Sequence, residues 1–219
     1  MLKWSDCDAL IPAVMSMTER ADSVRQLLID IGRQCPGMRV RIMPQWRVEE
    51  PESWREVFAT ISAGLEDLSR PWLLYFEDDA QLGPEFGDRV LPILDAADDD
   101  CGAVSFFSDN QRDLKRMLQK TQLYESGYPF VHAQGLAIKR EVAAAWGKMM
   151  VSWWDRSKEK KAPDMALGDC CRDLGLKIMV HLPSLVQHRD IPSAFGHTHC
   201  PKSKTFNGID QFLVGDIWH

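Results

Sequence analysis

No stretch of this sequence approaches the roughly 18 consecutive apolar residues that a membrane span requires, and the opening Met1-Leu2-Lys3-Trp4-Ser5-Asp6 has no apolar signal core. The expectation is a cytosolic protein. No CxxC pair occurs among the six cysteines, Cys7, Cys35, Cys101, Cys170, Cys171 and Cys200. Their scatter is closer to reduced core thiols than to a secreted disulfide framework. The tail His197-Thr198-His199-Cys200 lacks a spaced fourth ligand, so it reads as a loop rather than a zinc site. Positive charge is not in excess. A formal net charge of -6 exerts no global pull towards nucleic acid, and Arg112-Lys115-Arg116-Lys120 and Lys158-Lys160-Lys161 read as solvated segments. There is no internal repeat or low-complexity segment, and Asp98-Asp99-Asp100 reads as a solvated turn.

What is present is ample apolar material. Hydrophobic residues make up 45% and charged residues 26% of the 219, enough to bury a core and offset chain entropy over a length ordinary for one α/β domain. Ala9 to Met17 is an apolar run suited to a buried strand. Ser23 with Gln26 has the spacing of a capping box, opening a helix that buries Val24, Leu27, Leu28 and Ile31. Met38 to Met43 alternates like a strand, and Pro51, Ser53 and Glu56 announce a helix striped with Trp54, Val57, Phe58, Ile61 and Leu65.

Trp72 to Phe76 is too short and too continuously apolar for a surface helix, and reads as a central strand covered on both faces. Pro84 to Asp95 reads as a helix with an internal Pro92, Gly102 to Phe107 as a strand, and Ser108 to Tyr128 as a long polar connection. Val131 to Lys139 reads as a strand broken at Gly135, Arg140 to Met150 as a helix, and Ser157 to Lys161 as a loop. Asp164 stands where an N-cap would, before a helix ending at Gly175, and Lys177 to His181 is the last clear strand. This alternation implies a mostly parallel sheet with helices on both faces, in which ligands bind beyond the carboxyl ends of the strands. Thr18 to Arg20 and Glu77 to Asp79 then share one rim.

The triplet Glu77-Asp78-Asp79 places three mutually repelling carboxylates at the end of an apolar strand, so it needs either solvent or a cation. By itself it reads as an exposed acidic turn or as a metal site. Gly135 marks either a β-bulge or a close ligand approach, with Gln134 beside it. Asp164 reads as a helix cap, and His132 and His181 as packed histidines without a role.

Five segments carry a resemblance to one enzyme superfamily. They are AVMSMTERADSVRQLLIDI, WLLYFEDDAQLGPEF, FVHAQGLAIKREVAAAW, APDMALGDCCRDLG and PSLVQHRDIPSAFGH, spread in order over roughly Leu10 to His197. Together they are similar to the GT-A fold glycosyltransferases, in which a strand ends in an Asp-x-Asp motif, here Glu-Asp-Asp.

The resemblance implies a single-domain, Rossmann-like GT-A fold, with a nucleotide-binding half over about 9–107 and an acceptor and metal-closing half over about 128–200. It implies that Asp79 binds a metal directly with His188 as second protein ligand, and that Glu77 and Asp78 contact ribose or metal-bound waters. Thr18 and Arg20 then lie beside the nucleotide, and Gln134 and Gly135 line the donor-sugar pocket. Asp164 becomes the general base of an inverting transfer, with Asp169 the neighbouring contender. A mixed carboxylate and imidazole set tilts the cation towards Mn2+ over Mg2+.

The implied donor is a UDP- or GDP-type nucleotide sugar, and the acceptor hydroxyl belongs to a glycan, lipid-linked saccharide, protein or modified nucleobase. A bacterial or viral cytosolic enzyme fits best. His197 is implied near the pyrophosphate, and Trp153, Trp154 and Trp218 read as helix-end packing or as stacking surfaces. Two rivals stand beside this reading. A nucleotidyltransferase is disfavoured because no glycine-rich phosphate loop occurs near Met17 to Ala21; the other is a sugar- or nucleotide-binding module without catalysis.

Overall fold

The computed structural model describes residues 1–14, 17–45, 51–66, 68–130, 133–156, 163–191 and 201–206. The expectations for Ser157 to Lys161, His132, His197 to Cys200 and Trp218, and for the side chains of Trp54, Val57, Trp153 and Trp154, lie outside the described residues. The strands are β1 (Cys7–Val14), β2 (Arg39–Gln45), β3 (Trp72–Phe76), β4 (Ala80–Leu82), β5 (Cys101–Ser105), β6 (Leu123–Glu125), β7 (Gly135–Lys139), β8 (Lys177–His181) and β9 (Val186–His188). The helices are α1 (Thr18–Gln34), α2 (Pro51–Glu66), α3 (Phe86–Asp95), α4 (Asp113–Leu118), α5 (Arg140–Arg156) and α6 (Pro163–Asp173).

Seven strands form the central sheet in the order β2-β1-β3-β7-β5-β8-β6. Pairing is parallel for β1 with β2 and β3 and for β5 with β8, and antiparallel where β7 and β6 enter. The sheet is therefore mostly parallel, as the alternating pattern implied. Its two faces are read from the period of two along each strand. Trp72, Leu74 and Phe76 of β3 join a cluster with Val24, Leu27 and Ile31 of α1 and Phe86, Val90 and Leu94 of α3. Leu73 and Tyr75 point the other way, to Ile61 and Leu65 of α2, Trp146 of α5 and Leu167 of α6. Each such fully buried Leu or Phe contributes about 1.5–3 kcal/mol. In β5 the alternation skips at Gly102, where the register with β8 shifts, so Cys101 and Val104 share one face and Ala103 takes the other.

Several local expectations change. Helix α1 opens at Thr18, after Met17 as N-cap, so Ser23 lies inside the helix with its hydroxyl buried and without a partner. The reason is tertiary: starting the helix directly after β1 carries Arg20 to the rim, and Ser23 falls on the face packed against the core. The polar connection from Ser108 to Tyr128 contains α4 and β6, a short helix and an edge strand that pairs with β8. Helix α6 begins at Pro163, so Asp164 stands one residue inside it rather than at the N-cap. β8 is not the last strand, because β9 follows and pairs antiparallel with β4 in a separate two-stranded ribbon. β9 has only three residues, too few for a periodicity signal.

Candidate metal and donor site

β3 ends at Phe76, and the next three residues carry the acidic triplet into β4. Because β4 pairs with β9 in the register Ala80 to His188, and the Arg189 N–H donates to the Asp79 carbonyl at 2.7 Å, the imidazole of His188 is held beside the triplet. His188 Nδ1 lies 3.2 Å from Asp79 Oδ2, and the Phe107 ring meets the imidazole edge-on at a centroid distance of 5.4 Å. One carboxylate oxygen of Glu77, one of Asp79 and one nitrogen of His188 all lie within 4.8 Å of one another.

This cluster is not an exposed turn. Asp78, Asp79 and His188 are 5%, 4% and 6% exposed, and Glu77 is partly buried. Arg20, from the first turn of α1, is itself buried and forms an ion pair with Asp78, while its Nη2 stands 3.5 Å from Asp79 Oδ2. Arg20 thus pairs with two of the three acidic side chains of the triplet. Among the described residues, Asp79 Oδ1 and His188 Nε2 are buried without a hydrogen-bond partner, and His188 Nδ1 has only its 3.2 Å contact with Asp79 Oδ2. Buried polar atoms of native proteins are nearly always paired, since each orphan costs about 1–3 kcal/mol. Oxygen and imidazole atoms left open together in this way fit a divalent cation of the Mn2+ or Mg2+ kind.

The acid–base properties follow from the crowding. Burial pushes the Glu77 carboxyl up to about 8, aided by the charges of Asp79, Asp164 and Asp78 and opposed by a hydrogen bond from Gln134. Asp79 moves the other way. Burial raises it, but the contact with His188 and the Arg20 charge outweigh that and hold it below its ordinary value. Asp164, at the start of α6, is 8% exposed, and burial lifts its carboxyl to about 6 against the opposing hydrogen bond from the Met165 N–H at 2.8 Å. Asp164 acts on both Glu77 and the buried Tyr75, so it belongs to the same electrostatic cluster.

Gln134 joins this cluster: Nε2 donates to Glu77 Oε2 at 3.3 Å, and its own Oε1 is buried without a partner. Gly135, in contrast, makes room for protein. A Cβ there would stand 2.6 Å from Val186 Cγ2, so β9 makes a close approach at this glycine. Thr18 is the first residue of α1 and is exposed at the same rim. Asp169 is occupied elsewhere, accepting from the Tyr128 hydroxyl at 3.0 Å and pairing with Arg172 at 2.7 Å. His181 is a packed histidine, its Nδ1 2.9 Å from the Pro183 carbonyl and its pKa lowered by burial to about 4.

Sequence reasoning missed the aromatic contact of Phe107 and a buried polar cluster of Ser184, Gln187, Ser203 and Thr205 behind β9. The continuous apolar run GAVSFF marks Phe107 as core, but nothing in the sequence pairs residues 203 and 205 with 184 and 187.

No protein-family model matches the chain, and no curated protein matches it. Solved structures do. The catalytic domain of Drosophila β1,4-galactosyltransferase 7, in complex with xylobiose, is similar at 15% identity and a TM-score of 0.53, over 93% of this chain and 82% of that one. The mannosyltransferase PcManGT from Pyrobaculum calidifontis, in complex with GDP-Man and Mn2+, is similar at 17% identity and a TM-score of 0.55. That match covers 82% of this chain and 55% of the mannosyltransferase, so the chain spans about half of its length. The fold is the GT-A fold of glycosyltransferases.

Proposed function

We propose that this chain is a metal-dependent glycosyltransferase that moves a sugar from a nucleotide-sugar donor to an acceptor hydroxyl, with inversion at the anomeric carbon. The observation that carries the reading is the buried cluster of Glu77, Asp79 and His188 at the carboxyl rim of a GT-A sheet, in which Asp79 Oδ1 and His188 Nε2 have no hydrogen-bond partner among the described residues. Asp79 and His188 are the residues that would hold a divalent cation, with Glu77 and Asp78 supporting it. Mn2+ suits the mixed oxygen and nitrogen set, and the similar mannosyltransferase is in complex with GDP-Man and Mn2+. When bound, the cation offsets the negative charge that develops on a nucleoside diphosphate leaving group.

The chain's own residues supply the rest. Arg20 fixes Asp78 and lends positive charge at the start of α1, and Thr18 stands at the same helix start, where backbone N–H groups favour anions. Gln134, with one amide atom spent on Glu77 and the other open, orients the donor sugar. Asp164 takes the proton from the attacking acceptor hydroxyl; a carboxyl raised to about 6 is ionised at neutral pH and still basic enough to accept it. The acceptor is a hydroxyl-bearing glycan, lipid-linked saccharide, protein or modified nucleobase.

Residues 9–107 form the nucleotide-binding half and 128–200 the acceptor and metal-closing half of one catalytic unit. The five cysteines among the described residues are free and buried, which suits a reducing, cytoplasmic setting. The test is a thermal-shift panel of UDP- and GDP-sugars with and without Mn2+. A binder should raise the melting temperature only in its presence. Stabilisation that is equal in chelator would contradict the metal reading.

A further inference from the structure

The antiparallel ribbon of β4 and β9 leaves one side of His188 open. Gly83 N donates to Leu185 O at 2.8 Å and Arg189 N to Asp79 O at 2.7 Å, which makes Ala80 and His188 a non-hydrogen-bonded pair. The N–H and C=O of His188 therefore point away from β4. Both are taken by side chains. His188 N donates to Gln187 Oε1 at 3.1 Å, and Lys202 Nζ donates to His188 O at 2.7 Å.

Gln187 is in turn tied to the segment that bears Lys202. Its Oε1 also accepts from Ser203 N at 3.0 Å, and its Nε2 donates to Ser203 O at 3.1 Å, so the amide pairs with the Ser203 backbone as a neighbouring strand would. Ser203 Oγ donates to Ser184 Oγ at 2.7 Å, Ser184 N donates to Thr205 Oγ1 at 3.1 Å, and Ser108 N donates to Ser184 Oγ at 3.1 Å. Ser184, Gln187, Ser203 and Thr205 are all buried. The cluster anchors residues 202 to 205 to the loop before β9 and to the end of the β5 segment.

We infer that Gln187, Lys202 and Ser203 are positioning residues for the metal centre, a clamp that fixes the backbone of His188 from the side its partner strand leaves open. The inference rests on the metal reading above. β9 has three residues, pairs with the single strand β4 and donates from Val186 N to Phe106 O, so on the side away from β4 the backbone of His188 is held by Gln187 and Lys202. With the clamp, both backbone polar groups of His188 are immobilised, and its ring is set between Asp79 and Phe107. Removing the clamp leaves the carboxylates in place but loosens the nitrogen ligand.

The test is Mn2+ binding to the full chain, followed by electron paramagnetic resonance, with the nitrogen modulation of the bound ion reporting the imidazole. Gln187→Met should weaken Mn2+ binding by about 10-fold or more, within the range known for groups that orient a metal ligand. The Mn2+ that remains bound should show reduced nitrogen modulation. Lys202→Met should shift both in the same direction, and Lys202→Arg, which keeps a donor for the His188 carbonyl, should restore them. A general loss of stability would not produce this rescue or this spectral change. Should Gln187→Met fail to fold, the exposed Lys202 pair decides the matter alone. Variants with wild-type affinity and wild-type nitrogen modulation overturn the clamp while leaving the metal site standing. A wild-type chain that binds no Mn2+, or binds it without nitrogen modulation, overturns the assignment of His188 as a ligand and the clamp with it.

Discussion

The chain contains two acidic triplets of nearly identical composition, Glu77-Asp78-Asp79 and Asp98-Asp99-Asp100, and they do opposite things. Both flank strands of the central sheet, but at opposite ends. The second precedes β5 and is exposed, the carbonyls of Asp99 and Asp98 capped by Lys139 Nζ at 2.9 and 3.3 Å, with Asp100 paired to an exposed Lys177 at 2.6 Å. Solvent screens its repulsion, and surface pairs of that kind contribute little. The first follows β3 at the carboxyl rim, where α1, β9 and α6 converge, and water is replaced by Arg20, His188 and Asp164. Charge count does not distinguish a cation site from a solvated turn; the end of the strand and its burial do.

The comparison can be broken at several points. The largest effect is expected for Asp79→Ala, which should abolish transfer and weaken Mn2+ binding by more than about 100-fold, beyond the range for groups that only orient a ligand; calorimetric Mn2+ titration checks this. Asp164→Asn should keep donor binding and lower the transfer rate by about 100- to 10,000-fold, as for loss of a general base. In the wild type the rate should rise with pH through about 6 as this carboxyl ionises.

A smaller, structural effect is expected at Gly135. With Val186 only 2.6 Å from the new Cβ, Gly135→Ala should cost about 1–3 kcal/mol in urea unfolding and push β9, and with it His188, from its place.

Glu77 gives a pH signature. Folding raises its pKa from 4.5 to about 8, so the folded state retains a proton that the unfolded chain releases, and stability falls as pH rises across that window. Asp164 has the same sign, but its window closes at about 6. Asp79, with a lowered pKa, contributes stability that is lost only in acid. The decline in melting temperature between about pH 6 and 8 in chelator therefore belongs to Glu77 and should vanish in Glu77→Gln. The smallest effect is expected for Asp99→Ala in the exposed triplet, within about 0.5 kcal/mol of wild type and with unchanged Mn2+ binding.

Much of the frame was legible because apolar periodicity is local. β3 was read to the residue, since five continuous apolar residues between Pro71 and Glu77 admit little else. The helix after β1 was recognised by Val24, Leu27 and Ile31, yet its start was placed too late, because the nearer capping signal lost to the need to bring Arg20 to the rim. Asp79 and His188 were paired through the resemblance of whole segments; no spacing rule links positions 109 residues apart. β9 and the clamp were missed because three-residue strands and hydroxyl clusters carry no period, and no sequence shows that Val186 fills the space beside Gly135.

The central claim is that the buried triplet works with a divalent cation to release a nucleoside diphosphate. Its most direct test is diphosphate release from a panel of UDP- and GDP-sugars by the wild-type chain and by Asp79→Ala, each in Mn2+ and in chelator. The account predicts release by the wild type in Mn2+ alone, with Asp79→Ala inactive under both conditions. Equal release in chelator, or by the variant, would contradict it.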